Sequence, residues 1–235
     1  KTDVDASRHR QQSMVLVPRN HPGVTLEASP TVFGFEDRGG HPQLLFSDVR
    51  IPKEEGLLGE EGGGFAMSQA RLGPGRIHHC MRSLGVAELA LELMCQRAVS
   101  RTTFGKPVIQ QGLIQDWIAE ARLGIDQAKL MCLYTASLMD TVGNKVAANE
   151  ISSIKVIVPR LTLDVLDKAI QVHGAAGVSQ FTPLAQLWAH QRTLRLADGP
   201  DEVHKMTIAR REIRKHDPGF RMSGKTDRPE APRFG

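Results

Sequence analysis

From Gly62 onward, apolar residues return every three or four positions. They run through Leu84, Ala87, Leu91, Met94 and Ala98, then through Leu113, Ile114, Trp117, Ile118, Ala121 and Ile125. That spacing puts each set on one face of a helix. A third set, Ile151, Ile154, Val158, Leu161, Val165, Leu166 and Ile170, predicts a helix from about Ala147 to His173, with a kink at Pro159. A fourth is expected to start at Pro200 and carry Val203, Met206, Thr207 and Ile213, and a shorter one from Pro183 to Arg192 sits in the connection before it. Residues 13–58 read differently. Ser13 to Val17, Gly23 to Leu26, and Gln43 to Phe46 with Val49 and Ile51 beyond are short runs broken by Pro18, Pro22, Gly34, Gly39, Gly40, Pro42 and Pro52, the signature of short antiparallel strands. The predicted fold class is α+β, mostly α: a partial antiparallel β domain over residues 1–60, then an antiparallel four-helix bundle over 61–216. Residues 217–235 read as a disordered tail.

Composition refines this without redirecting it. At 235 residues, 40% hydrophobic and 24% charged, the chain can bury a substantial core. Much of the +4 charge sits in Arg210, Arg211, Arg214, Lys215, Arg221, Lys225 and Arg228, and aromatic residues make up only 5%, so nucleic acid, which would want stacking platforms, is not expected as a partner. No apolar run is long enough for a transmembrane segment. The start, Lys1-Thr2-Asp3-Val4, carries neither an initiator Met nor a signal pattern, and reads as the interior of a longer chain with part of the β domain upstream. Cys80, Cys95 and Cys132 are odd in number and widely spaced, which suits reduced thiols in an intracellular protein.

The candidate chemistry lies in Leu196-Ala197-Asp198-Gly199-Pro200-Asp201-Glu202-Val203-His204. Pro200 suits a first helical position and Asp201 and Glu202 a first turn, where the helix dipole favours acids. Asp198 then falls outside the helix, before a glycine that lets a ligand approach the backbone. A turn or capping aspartate is the plain alternative. Three further patterns precede it: Gly73-Pro74-Gly75-Arg76 ahead of a long helix, Arg101-Thr102-Thr103-Phe104-Gly105-Lys106-Pro107 after it, and Gln171-Val172-His173-Gly174-Ala175-Ala176-Gly177 at the end of the third helix. Arginine forks grip diphosphates and glycines admit a ligand to the backbone, so together they suit a dinucleotide. His78, His79 and Cys80 are successive residues pointing about 100° apart on a helix, so no metal site is expected there. No Lys-Ser/Thr follows Gly62-Gly63-Gly64 to make a phosphate loop.

In this order the four patterns resemble the carboxyl-terminal half of the acyl-CoA dehydrogenases. Arg101 to Gly105 is similar to that family's Arg-x-x-Phe-Gly signature, Gln171 to Gly177 to its Gln-x-x-Gly-Gly-x-Gly turn, and Asp198-Gly199 to its Glu-Gly. The wording of Arg71 to Cys80 and Ala197 to His204 resembles a branch that includes large animal proteins with a fused kinase-like domain. The resemblance implies that residues 1–60 are the second part of a middle β domain. It implies Asp198 as the catalytic base, taking the α-proton of an acyl-CoA thioester while the β-hydride goes to the flavin of FAD. The donors to the thioester oxygen would be a flavin ribityl hydroxyl and the backbone N–H of Asp198. Some relatives carry the base on the first bundle helix instead, and the matching position here is Gly75.

Arg76 and Gly199 would contact the substrate. Arg101, Thr103 and Phe104 would meet FAD across a subunit interface, with Gln171 and Gly174 reaching it from the partner, and Gln111, Ala175, Pro200 and Glu202 complete the implied flavin set. Gly112, Ala175, Pro200 and Glu202 depart from the family's usual residues. The implied partners are an acyl-CoA, an electron-transferring flavoprotein and further copies of the chain in a homodimer or homotetramer. The implied compartment is mitochondrial or peroxisomal in a eukaryote and cytoplasmic in a bacterium. A flavin oxidase of the nitroalkane type, which also uses aspartate, and a non-catalytic bundle that binds FAD or partners are the alternatives.

Overall fold

The computed structural model describes residues 1–35 and 41–221. Three long helices, α2 (Gly64–Ser100), α3 (Gly112–Val142) and α4 (Ala148–His173), follow a one-turn helix α1 (Lys53–Gly56), and the shorter α5 (Leu184–Thr193) and α6 (Asp201–Ile213) complete the helical part. The 3.6-residue pattern placed α4 within a residue at each end, while α2 starts well before its expected beginning.

Their directions follow from the side chains that join them. Arg122 of α3 bridges Glu88 of α2 at 2.8 Å, and Gly124 of α3 lies against Leu161 of α4, so α3 runs antiparallel to both neighbours. Thr162 of α4 donates to the Ser83 carbonyl of α2, and Asn144 just before α4 packs on Gly73, so α2 and α4 run parallel. Arg160 near the middle of α4 meets Asp201 at the start of α6, while Arg211 near the end of α6 donates to the Val146 carbonyl. The result is an up-down-up-down bundle of α2, α3, α4 and α6, with α5 packed on α4.

The core is the predicted one in α2 and α4, but Leu113 of α3 and the expected apolar residues Val203, Met206 and Ile213 of α6 are exposed. Leu84, Leu91 and Met94 of α2 meet Ile125 and Ala128 of α3 and Ile154, Val158, Val165 and Leu166 of α4. Each fully buried side chain of this size is worth about 1.5–3 kcal/mol relative to exposure. Alanines at 87, 90, 121, 128 and 169 let the helices approach closely.

Gly73 to Arg76, expected ahead of α2, lie inside it, and the helix runs on through Pro74. Glycine and proline usually punctuate helices, but here packing wins. A Cβ on Gly73 would stand 2.7 Å from Asn144 Nδ2, and one on Gly75 would stand 2.7 Å from the Arg71 guanidinium, so both glycines serve close approach. α4 likewise continues through the buried Pro159.

The amino-terminal part holds β1 (Met14–Val15), β2 (Val24–Ala28), β3 (Gln43–Phe46) and β4 (Leu57–Leu58). β1 pairs with β4 and β2 with β3, both antiparallel. Val49 and Ile51 do not extend β3; the chain turns into α1 instead. Leu26, Leu44, Leu45 and Phe46 are about half exposed, because a two-stranded ladder has no second layer to cover it. Most of the expected tail, residues 222–235, lies outside the described residues.

Candidate active site

The turn between α5 and α6 is built around two residues with positive φ, Asp198 at 54° and Gly199 at 106°. Glycine adopts this region freely and aspartate tolerates it better than most side chains, so the Asp-Gly pair dictates a sharp reversal here. Pro200 then sits at the N-cap with extended ψ, and α6 begins at Asp201, one residue later than the pattern predicted.

Four groups fasten this turn. Arg76 of α2 donates through Nε to the Asp198 carbonyl at 2.9 Å. Lys155 of α4 donates through Nζ to the Leu194 carbonyl. The Asp201 amide donates to the Arg195 carbonyl at 3.1 Å, and the Asp201 carboxylate accepts from Arg160 Nε at 3.0 Å and Arg195 Nε at 2.9 Å. Burial would push the Asp201 carboxyl up, but the two arginine hydrogen bonds outweigh it and hold it below the usual carboxylate range.

Held in this way, the Asp198 side chain is 17% exposed and turns one carboxylate oxygen toward α2. That oxygen, Oδ2, lies 3.1 Å from His79 Nε2 and 3.9 Å from the Arg71 guanidinium. Arg82 approaches the other ring nitrogen of His79, Nδ1, at 2.6 Å. A guanidinium only donates, so Nδ1 is the acceptor and Nε2 carries the hydrogen that faces Asp198. Burial lowers the His79 pKa against the pull of Asp198, which favours this neutral ring. A Cβ on Gly75 would stand 3.4 Å from Asp198 Oδ2. Gly75 and the Asp198 carboxylate, the two positions at which the resemblance would place a base, thus adjoin each other.

His204 is 4% exposed and its Nε2 is buried without a hydrogen-bond partner, 2.9 Å from where a Gly199 Cβ would be. Burial lowers its pKa, and Arg76 and Lys155 push the same way.

The expected site residues fall into two groups. Asp198, Gly199, Pro200, Arg76 and Glu202 stand together where the first half of α2 meets the start of α6, with Glu202 exposed. Arg101, Thr103, Phe104 and Gln111 stand at the far end of α2, about 36 Å away at 1.5 Å per helical residue. Because α4 runs parallel to α2, Gln171, Gly174 and Ala175 emerge at that same far end, and all three are exposed. Within one chain the two groups do not meet. Thr102–Thr103 and Lys106–Pro107 form a hairpin, β5 and β6, whose tip is Phe104 at φ 52° and Gly105 at φ 79°, and Phe104 is 99% exposed.

Sequence reasoning missed Lys155 and the arginine pair on Asp201, and it treated His79 only as a rejected metal ligand. Lys155 left a signal: it interrupts the apolar stripe Ile151, Ile154, Val158 at a position where the helix faces inward. Asp201 left none, since Arg160 reaches it from α4 and Arg195 meets it only once the turn has folded. Among the described residues, no three His, Cys, Asp or Glu side chains converge as a metal site would require.

Residues 62–213 match the family model for the acyl-CoA dehydrogenase C-terminal domain. The chain belongs to the acyl-CoA dehydrogenase family. It is 54% identical over 220 residues to Probable acyl-CoA dehydrogenase FadE2 of Mycobacterium tuberculosis, covering 94% of this chain and 54% of that protein. It is 56% identical over 210 residues to acyl-CoA dehydrogenase family member 11 of Gallus gallus, covering 88% of this chain and 27% of that protein. A solved Mycobacterium abscessus protein assigned as an acyl-CoA dehydrogenase superposes with a TM-score of 0.88 at 47% identity, covering 91% of this chain and 53% of that one. The chain spans about half the length of FadE2 and of that structure. Among the described residues, no helix is long and apolar enough to cross a membrane.

Proposed function

We propose that this chain supplies the catalytic base and part of the flavin-binding surface of an FAD-dependent acyl-CoA dehydrogenase, which introduces an α,β double bond into an acyl-CoA thioester. The observation that carries this reading is the placement of Asp198: a largely buried carboxylate on a tight turn anchored from α2, α4 and α6, facing the Gly75 gap. A rigid mount of this kind is what a general base requires, because proton abstraction from carbon depends on fixed geometry.

The residues fit a flavin shared between two copies. Arg101, Thr103, Gln171 and Gly174 gather at one end of the bundle, the exposed Phe104 projects there, and Gly174 holds a positive φ that leaves backbone groups accessible. Since the Asp198 turn lies about 36 Å along α2 from this surface, the far-end surface of one copy would complete a site at the Asp198 end of another. FAD, when bound, supplies the hydride acceptor.

The chain's own work is then as follows. Asp198 takes the α-proton onto its carboxylate. The Asp198 backbone N–H would donate to the thioester oxygen, where negative charge grows as the proton leaves. Arg76 fixes the Asp198 carbonyl, Gly199 lets the acyl chain approach the backbone, and Gly75 leaves the room in which the carboxylate moves. Electrons would pass on to an electron-transferring flavoprotein, and the assembly would be a homodimer or homotetramer. Anaerobic mixing of the flavin-loaded protein with a panel of acyl-CoAs tests the reading. Bleaching of the flavin with formation of the 2-enoyl product is expected; bound acyl-CoA with no bleaching across the panel would overturn it.

A further inference from the structure

Lys155 is fully buried on the inward face of α4, between Ile151, Ile154 and Val158. A lysine there is expensive, because the ammonium gives up its hydration. Two features compensate. Its Nζ donates to the Leu194 carbonyl at the C-terminal end of α5, where the helix dipole favours a cation. The carboxylates of Asp198 and Asp201 lie within electrostatic reach, as does the Cys80 thiol. A structural cap for α5 would need only a donor. What distinguishes Lys155 is that the carbonyl it holds is four residues before Asp198, on the segment that presents the carboxylate.

We propose that Lys155 is a positioning residue for the Asp198 reaction: its hydrogen bond to the Leu194 carbonyl fixes the start of the 194–200 turn and with it the place of the Asp198 side chain. This rests on the reading of Asp198 as the base. The other groups around Asp198 act at other points of the turn or on the carboxylate itself. From α2, Arg71 is 3.9 Å away but largely solvated, Arg76 spends its Nε on the Asp198 carbonyl, and His79, backed by Arg82, is driven toward its neutral form. From α6, His204 is likewise driven neutral and Asp201 is occupied by Arg160 and by Arg195 of the turn. Burial pulls the Lys155 pKa down, opposed by Cys80, Asp198 and Asp201.

The test uses Lys155→Met, Lys155→Gln and Lys155→Arg in the flavin-loaded protein, with Asp198→Asn alongside. In Lys155→Met the rate constant for flavin reduction should fall about 10- to 100-fold with acyl-CoA affinity little changed, since a misplaced base loses rate rather than binding. Amide exchange over 194–200 should quicken. Lys155→Arg keeps a long donor and should come nearer to the wild-type rate. Lys155→Gln keeps a shorter donor, so it should fold even if the methionine variant does not, and should show a smaller loss of rate in the same direction. Rate constants that match wild type in both Lys155→Met and Lys155→Gln, with only a lower melting temperature, would overturn the proposal. Persistent flavin reduction in Asp198→Asn would instead overturn the reading of the base, and the exchange measurement would report on the Lys155 anchor regardless.

Discussion

Replacing Asp201 with alanine probes the fastening of the Asp198 turn most sharply. The carboxylate is 2% exposed and accepts two arginine hydrogen bonds at 2.9 and 3.0 Å. A hydrogen bond to a charged group contributes about 1.5–3 kcal/mol, so the pair sums to roughly 3–6 kcal/mol in a sealed site. The arginine side chains are 42% and 30% exposed and would regain water, which discounts the loss to about 2–3 kcal/mol. For a chain of this length that corresponds to a fall in melting temperature of about 4–12 °C. The pH dependence has a definite sign. The carboxyl is held below its ordinary value in the folded protein, so its stabilisation is complete above the unfolded value near pH 3.9 and drains away as pH falls through the lower folded value. Thermal unfolding followed by circular dichroism should therefore show a wide gap between wild type and Asp201→Ala at pH 7 that narrows below about pH 4. Equal melting temperatures at pH 7, or a gap that widens on acidification, would refute the reasoning.

Gly177→Ala should destabilise the end of α4 by about 1–3 kcal/mol, because its Cβ would stand 2.4 Å from the Ile170 carbonyl oxygen; chemical denaturation should show the loss, and unchanged stability would contradict that geometry. Gly199→Ala combines a φ of 106° with a Cβ 2.9 Å from His204 Nε2, so the turn should shift and flavin reduction by acyl-CoA should slow more than binding weakens. Arg101→Ala should release FAD on dialysis and weaken subunit association while leaving the monomer's helical content unchanged, and a flavin-to-protein ratio equal to wild type would count against its role.

The helices were legible because their signal is local and repeated. Leu84, Leu91 and Met94, and later Ile154, Val158 and Val165, announce their buried faces wherever the chain goes. Gly73 and Gly75 misled because a glycine's local meaning is punctuation, while here each makes room for a side chain: Arg71 one turn back on the same helix, and Asn144, which no local window contains. The Asp198-Gly199 turn was readable because its conformation is written in the two residues that adopt it. The fastening of that turn was not. Arg76, Lys155 and Arg160 are separated from it by tens of residues and converge only once α2 and α4 are packed side by side. The separation of Arg101, Thr103 and Gln171 from Asp198 by about 36 Å along α2 follows from helix direction, which periodicity alone does not give.

The central claim is that Asp198 takes the substrate proton. Its most direct measurement is anaerobic stopped-flow absorbance of the Asp198→Asn flavin-loaded protein with an acyl-CoA that bleaches the wild type. The account predicts retained FAD and acyl-CoA binding with no bleaching on the wild-type timescale. Bleaching at the wild-type rate would contradict it.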